Sequence, residues 1–452
     1  MQSSLLRREL QVPDLPYNIP KTPVLKFVTK PLPMASQFYK MSKKGWGPLG
    51  HRGMRQFGIG SAERWTECLN VHRLSRKRVA GPLLIGVLRG EGIGPEVTRA
   101  ALEVLESVIP RTGLAMEICE GGRIGREAEQ IFGTSLPEDV MEFCESVFAR
   151  GGAILHGAGG RRFVYELRKR FDLFFKISPL QIAYGVSEAS PLKLDAMQSV
   201  DILATRENTG GIYQGHWEEQ NCPSGGRLAL HHFAYTENQV RRFLQASARL
   251  AKRRSGDLTV VWKEAGIPAI SRLWQTCAEE AAQAHGVRLH MVDVDLMAYR
   301  LIRTPHMFDV IAAPNLFGDV LADLGAILLG SRGVSFSGNY NDAGNAAYQT
   351  NHGAAYDLAG TDRANPAGQI LSLAMMLRES FGLVQEAAAI QEAVRSVWRE
   401  GFRSEDVATQ GARVVGTREM GSRIADRAVE ILESRMLSTV AGIANEATAY
   451  PG

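Results

Sequence analysis

The stretch Leu83-Leu-Ile-Gly-Val-Leu88-Arg-Gly90-Glu-Gly92-Ile-Gly94-Pro95-Glu96 decides the fold class. Its opening apolar run lacks polar alternation, which suits a parallel strand buried on both faces. Glycines then let the backbone turn. Pro95 stands where a first helical turn tolerates proline, and a helical pattern runs on to about Ile109. The same strand–helix order recurs downstream. Thr236 with Gln239 makes a capping box for a helix to about Arg254. Leu258–Trp262 reads as a strand, and Pro268 opens a helix to about Ala284. Asp309–Ala312 is a short strand before a helix carrying Asp319 and Asp323, and Asn365–Gly382 and Arg418–Arg435 read as late helices. Repeated βα alternation predicts an α/β fold with sheets covered by helices.

The chain has 452 residues, enough for one large or two ordinary domains. No apolar run reaches the roughly 18 residues of a membrane span. Five scattered cysteines without a CxxC pair read as reduced packing residues. The net charge of +4 conceals an asymmetry. Residues 1–80 carry 15 Lys and Arg against 4 Asp and Glu, whereas the remaining 372 carry 37 against 44. The basic character therefore belongs to a proline-rich N-terminal extension, expected to be largely disordered or draped on the surface. An upstream translation start, organellar targeting and a nucleic-acid arm compete as explanations. The first helical turns lack clear amphipathicity, and no base-reading pattern supports the arm.

Asn315-Leu-Phe-Gly-Asp319-Val-Leu-Ala-Asp323 places two carboxylates four residues apart on one helix face. Like charges so placed repel unless a cation lies between them, and Mg²⁺ or Mn²⁺ prefers such oxygen donors. A solvated helix face is the competing reading. Arg206-Glu-Asn-Thr-Gly-Gly-Ile-Tyr213 joins a guanidinium, which forks onto carboxylates, to a phenol able to pass a proton. A structural arginine and a packed tyrosine would produce the same string.

These two segments, with His352-Gly-Ala-Ala-Tyr-Asp357-Leu358-Ala-Gly360 and Asn365-Pro366, resemble the signatures of the β-decarboxylating dehydrogenases. That family contains the isopropylmalate and isocitrate dehydrogenases. Gly90–Glu96, Leu167-Arg168 to Asp172-Leu and Ser190-Pro-Leu-Lys193 match as well, in the family's order, over residues 82–436. The resemblance implies an isopropylmalate-dehydrogenase-like two-domain fold, not a Rossmann fold, with a basic N-terminal extension. The glycine turn at 90–94 is then a strand-to-helix connection and not a dinucleotide fingerprint. Expected boundaries are 1–80 for the extension, 81–173 with 330–437 for a large cofactor domain, 174–329 for a small dimerisation and substrate domain, and 438–452 for a tail.

The resemblance further implies NAD bound by His352, Gly353, Asp357, Leu358 and Asn365. A carboxylate at Asp357 accepts from ribose hydroxyls and repels a 2′-phosphate, favouring NAD over NADP. Asp319 and Asp323 would hold Mg²⁺ or Mn²⁺ with Asp295 of a partner subunit, Asp293 being the neighbouring alternative on the same strand-like alternation. Arg168 and Arg206 would bind a substrate carboxylate, and Tyr213 would be the acid. The implied reaction is NAD-linked oxidation and decarboxylation of a 3-substituted malate-type hydroxy acid by a cytoplasmic homodimer with shared sites. A transit peptide within 1–80 would instead imply mitochondria. No membrane or nucleic-acid partner is implied.

The chain departs from the family pattern near the site. Ser178 stands where relatives carry a third substrate arginine, with Lys176 two positions back on the same strand face. The relay lysine falls on Glu264 by ungapped alignment and on Lys263 one residue away, opposite faces if the strand continues. Gly266, Pro314 and Gln349 replace other expected residues. Arg161 and Val164, on the segment that reads the variable substituent, match neither the isopropylmalate nor the isocitrate pattern. An enzyme of altered specificity is expected, and a catalytically impaired or regulatory subunit is the alternative.

Overall fold

The computed structural model describes residues 64–69 and 82–448, apart from 182–185, 194–196, 198–199 and 223–224. All lie in one compact unit, residues 56–452. Its strands are β1 (Leu83–Leu88), β2 (Met116–Glu120), β3 (Ala153–His156), β4 (Phe175–Gln181), β5 (Asp201–Glu207), β6 (His216–Asn221), β7 (Arg227–His232), β8 (Asp257–Trp262), β9 (Arg288–Asp293), β10 (Val310–Ala313), β11 (Phe336–Tyr340), β12 (Ala346–Thr350), β13 (Phe402–Arg403) and β14 (Arg413–Val414). Ten of them form one mixed sheet in the order β2-β1-β3-β12-β11-β4-β5-β10-β8-β9. β4 runs antiparallel to β5 and β11, and β11 antiparallel to β12. The remaining pairs are parallel.

The helices are α1 (Gly94–Val108), α2 (Gly125–Phe132), α3 (Glu138–Ala149), α4 (Phe163–Arg170), α5 (Glu237–Arg253), α6 (Pro268–His285), α7 (Val294–Arg303), α8 (Asn315–Leu329), α9 (Ala367–Glu379), α10 (Val384–Arg399) and α11 (Thr417–Thr448). The capping box of α5 forms as the sequence predicts, Thr236 and Gln239 satisfying each other's backbone N–H groups. Every residue of α9 is buried, which makes it the central helix of its half. α11 packs on α1 and α10 and continues to Thr448, beyond the expected start of a tail at 438. Among the described residues no helix is long and apolar enough to cross a membrane.

The turn after β1 behaves as a strand-to-helix connection. Gly92 sits at φ +58°, and a Cβ there would lie 1.9 Å from the Ala354 carbonyl oxygen. The same carbonyl accepts from Ile93 N–H at 2.8 Å. The turn thus packs against the loop expected to hold the cofactor.

Residues 64–69 depart from the expectation of a disordered extension; the rest of 1–80 lies outside the described residues. Trp65–Leu69 forms a 3₁₀ turn that buries Trp65, Cys68 and Leu69 in the main core. The Glu379 carboxylate at the end of α9 accepts from Trp65 N–H and Thr66 N–H, at 3.3 and 2.9 Å. Arg378 lies 3.6 Å from the centroid of the Trp65 ring, a cation–π contact. From α5, Arg253 pairs with Glu67 at 2.7 Å and Arg249 donates to the Cys68 carbonyl. A segment rich in charge and proline is ordered here because one aromatic and two small apolar side chains find a preformed slot.

Candidate active site

The site lies where β4, β5 and β10 meet the N-terminus of α8. Arg206 is the penultimate residue of β5, opposite Lys176 on β4 and Ala313 on β10. Residues directly opposite in a sheet point to one face. Lys176 is in turn opposite Asn339 on β11, so Arg206, Lys176 and Asn339 form one row across three strands.

Arg206 is held by the start of α8. Its Nε and Nη2 donate to Asn315 Oδ1 at 2.9 and 2.7 Å, and its Nη1 pairs with the Asp319 carboxylate. The Asn315 amide donates to the Asn208 and Gly210 carbonyls at 3.1 and 2.8 Å. That bond locks the segment 206–213 onto α8. Gly211 is required there: it sits at φ +74°, and a Cβ would strike the Tyr235 hydroxyl at 2.3 Å.

Arg168 projects inward from α4, is buried, and donates to Asn339 Oδ1 at 3.0 Å. Burial first, and then the neighbouring Arg206, pull its pKa down to about 9. Lys176 is 4% exposed and has no hydrogen bond or ion pair among the described residues. Burial, then Arg168 and Arg206, hold its amine well below the ordinary lysine range. Ser178 is buried one dyad further along β4, where Asn351 donates to its Oγ at 3.5 Å. Burial alone would raise Asp319, but Arg206, Lys176 and Arg168 outweigh it and keep the carboxyl below its usual range. Burial first, and then the nearby Asp319 carboxylate, raise the Tyr213 phenol. Its ring centroid lies 5.6 Å from the Arg206 guanidinium.

Asp323 shares the exposed face of α8 and pairs with Arg332 at 2.9 Å. Two carboxylates suit a hard divalent cation, but among the described residues no three His, Cys, Asp or Glu side chains are grouped to hold one.

Asp295 is not brought to these residues. It lies in the first turn of α7 and not on a strand, and its side chain is 71% exposed. It pairs with Lys263 at 2.6 Å, and Asp293 lies 3.6 Å from the same amine. β8 ends at Trp262, so the strand alternation expected to separate Lys263 from Glu264 does not extend to them. The Lys263 side chain reaches the two aspartates, while Glu264 contributes its backbone N–H to Asp293 at 3.1 Å.

The expected cofactor residues surround the β1–α1 turn and α9. Tyr356 donates to Glu91, which binds the loop to that turn. His352 Nδ1 lies 2.9 Å from the Gly353 carbonyl, and its buried Nε2 has no partner among the described residues. Asn365 accepts from Ala367 N–H at 3.0 Å at the start of α9. Asp357 is exposed and Leu358 half-buried. The orphaned His352 ring nitrogen and the exposed Asp357 carboxylate are each suited to a ligand rich in hydroxyls.

Sequence reasoning assigns no role to Asn208 or Asn339. Asn208 and Asn339 join Arg168 to the loop of Arg206 through a shared amide oxygen, with Asn208 Nδ2 at 3.0 Å from Asn339 Oδ1. Asn208 lay inside a quoted motif, but nothing local marks Asn339, whose role depends on strand pairing.

The sequence profile of the isocitrate/isopropylmalate dehydrogenase family matches residues 84–424. The 3-isopropylmalate dehydrogenase of Geobacillus kaustophilus is 38% identical over 374 residues, covering 80% of this chain and 99% of that protein. That of Carboxydothermus hydrogenoformans is 36% identical, covering 78% and 96%. Among solved structures, the isocitrate dehydrogenase of Methylococcus capsulatus superposes with a TM-score of 0.68 at 28% identity, covering 77% of this chain and 99% of that one. The chain belongs to the isocitrate/isopropylmalate dehydrogenase family and has its fold. It is thereby a member of an oxidoreductase family whose substrates are hydroxy acids.

Proposed function

We propose that the chain catalyses metal-dependent, NAD-linked oxidation and decarboxylation of a 3-substituted malate-type 2-hydroxy acid. The observation that carries this reading is the convergence of Arg206, Tyr213 and Asp319. One carboxylate-binding cation, paired with one metal-type ligand, lies beside the ring of one proton donor. Arg168 and Arg206 hold the substrate carboxylate, with Lys176 and Ser178 lining the same strand face. Bound Mg²⁺ or Mn²⁺ would supply Lewis-acid polarisation of the substrate oxygens. Asp319 and Asp323 would hold it together with the partner's acid. Tyr213, kept protonated by its surroundings, then delivers a proton to carbon after CO₂ has left.

A homodimer with shared sites is part of this reading, the third metal acid being supplied by a second copy. Asp295 and Lys263 lie together and away from Asp319, as they would if they serve a second copy. Leu296 and Tyr299 on α7 and Val320 on α8 are exposed, as is Trp217 on the β6–β7 hairpin. Such apolar surface beside candidate metal ligands supports an interface. We also retain the division of the chain into a cofactor domain, 81–173 with 330–437, and a substrate domain, 174–329. The order of strands in the sheet supports it, since β2, β1, β3 and β12 lie on one side and β5, β10, β8 and β9 on the other. A cytoplasmic location accords with this reading.

The test is NADH formation by purified protein with Mn²⁺ against 3-isopropylmalate, isocitrate, homoisocitrate, tartrate and D-malate. Turnover of one acid, abolished by EDTA and at least tenfold weaker with NADP, is expected. Absence of turnover with all of them would favour the impaired-subunit reading.

A further inference from the structure

Arg161 and Arg162 precede Arg168 on the segment expected to read the substrate's variable group. The structure divides its two arginines. Arg161, at φ +58°, turns away and pairs with Glu129 at 2.7 Å. Arg162 turns toward the site, and its Nη2 donates to the backbone carbonyl of Tyr213 at 3.0 Å.

Three further contacts fix that guanidinium and the tyrosine. Arg162 lies 4.4 Å from the centroid of Trp217 and 5.6 Å from that of Tyr165. The Tyr165 and Tyr213 rings are 5.0 Å apart. Gln214 donates to the Tyr165 carbonyl at 3.0 Å and to the Asn208 carbonyl at 3.2 Å. Trp217 stands on β6 opposite His231 of β7, and their rings stack at 6.0 Å. A continuous stack therefore runs from the exposed hairpin, through Arg162 and Tyr165, to the tyrosine whose ring lies beside Arg206.

Tyr213 needs such support. It lies in a three-residue 3₁₀ turn after two glycines, with no helix or strand to hold its backbone. Misplacing a reacting group by about 1 Å costs on the order of 100-fold in rate.

We infer that Arg162 is a positioning residue for Tyr213, and that the β6–β7 hairpin sets the reach of the phenol through Trp217. This rests on the proposed function, in which Tyr213 acts after CO₂ departs. In that step the phenol O–H bond breaks and a C3–H bond forms on the enolate. The electron pair of the enolate becomes the new C–H bond, and solvent returns a proton to the phenolate. Hydride has by then already passed to NAD. Disturbing Arg162 therefore slows a step later than NADH formation.

The experiment is stopped-flow NADH formation by full-length protein with saturating Mn²⁺, NAD and the acid it turns over. For Arg162→Met the expected result is a burst of about one NADH per site at a rate within about twofold of wild type. A steady state about 10- to 100-fold slower should follow. Arg162→Lys, which keeps the charge and a donor, should fall between, and Trp217→Leu should lose about threefold. Tyr213→Phe should show the same burst. An unchanged steady state in Arg162→Met overturns the inference, as does a burst that slows in proportion to turnover. A burst in Tyr213→Phe but none in Arg162→Met removes this inference and leaves the proposed function standing. No NADH from wild type removes both.

Discussion

The Arg206 guanidinium is bound to the Asp319 carboxylate, and the same guanidinium is held by Asn315 one turn earlier on α8. A cation suited to a substrate carboxylate and an anion suited to a metal thus neutralise each other. Ligand binding must divide them. Asp319→Asn is expected to lower NADH formation by at least about 100-fold, since metal polarisation is worth several kcal/mol. Folding stability should also fall, by about 1–3 kcal/mol, because the buried Arg206 loses its anion, an effect moderated by the 39% exposure of the Asp319 side chain and by the bonds Arg206 keeps to Asn315. Full activity in the variant would remove Asp319 from the metal set.

Lys176 supplies a prediction in pH. Its folded pKa lies below the ordinary lysine value through burial first, then Arg168 and Arg206. Between that lowered value and about 10.5, the unfolded chain holds a proton that the folded chain does not. Stability should therefore rise with pH across that window, by up to about 1.4 kcal/mol per unit. Lys176→Met should remove this component of the slope in urea unfolding followed at several pH values. An identical slope in variant and wild type would show that the amine is not desolvated.

The turn at 65–69 predicts a stability effect outside the matched family region. Trp65→Ala removes a ring buried against Arg378 and should cost about 3 kcal/mol. Glu379→Gln should cost a similar amount by leaving the buried Arg378 without its anion. A chain beginning at residue 81 with undiminished melting temperature would contradict both.

The shared-site reading predicts complementation. Mixed after reversible dissociation, Asp319→Asn and Lys263→Met chains should form heterodimers in which one of the two sites is intact. Activity should recover to about a quarter of wild type. No recovery, with heterodimers demonstrated, would place Lys263 and Asp319 in the site of one chain.

Much of the fold could be read locally. The apolar run of β1, the proline that opens α1 and the capping box of α5 each encode their element within a few residues. The helix carrying Asp319 and Asp323 was legible for the same reason. What was not legible depends on partners distant in sequence. β11 and β12 gain meaning only by pairing with β4 and β3, which is what brings Asn339 beside Arg168. The Lys263/Glu264 ambiguity is one of alignment register, and setting the two on opposite faces assumed a strand that stops at Trp262. Asp295 looked strand-borne because acids alternate at 293 and 295, yet α7 begins between them. Trp65 lay in a stretch whose composition suggests disorder, and only the slot beside Glu379 orders it.

The most direct measurement is the stoichiometry of products: NADH by absorbance and CO₂ by trapping, from one preparation with Mn²⁺ and the acid it turns over. The account predicts equal amounts of both, with neither formed after EDTA. NADH without CO₂, or formation of either in the absence of divalent metal, would contradict it.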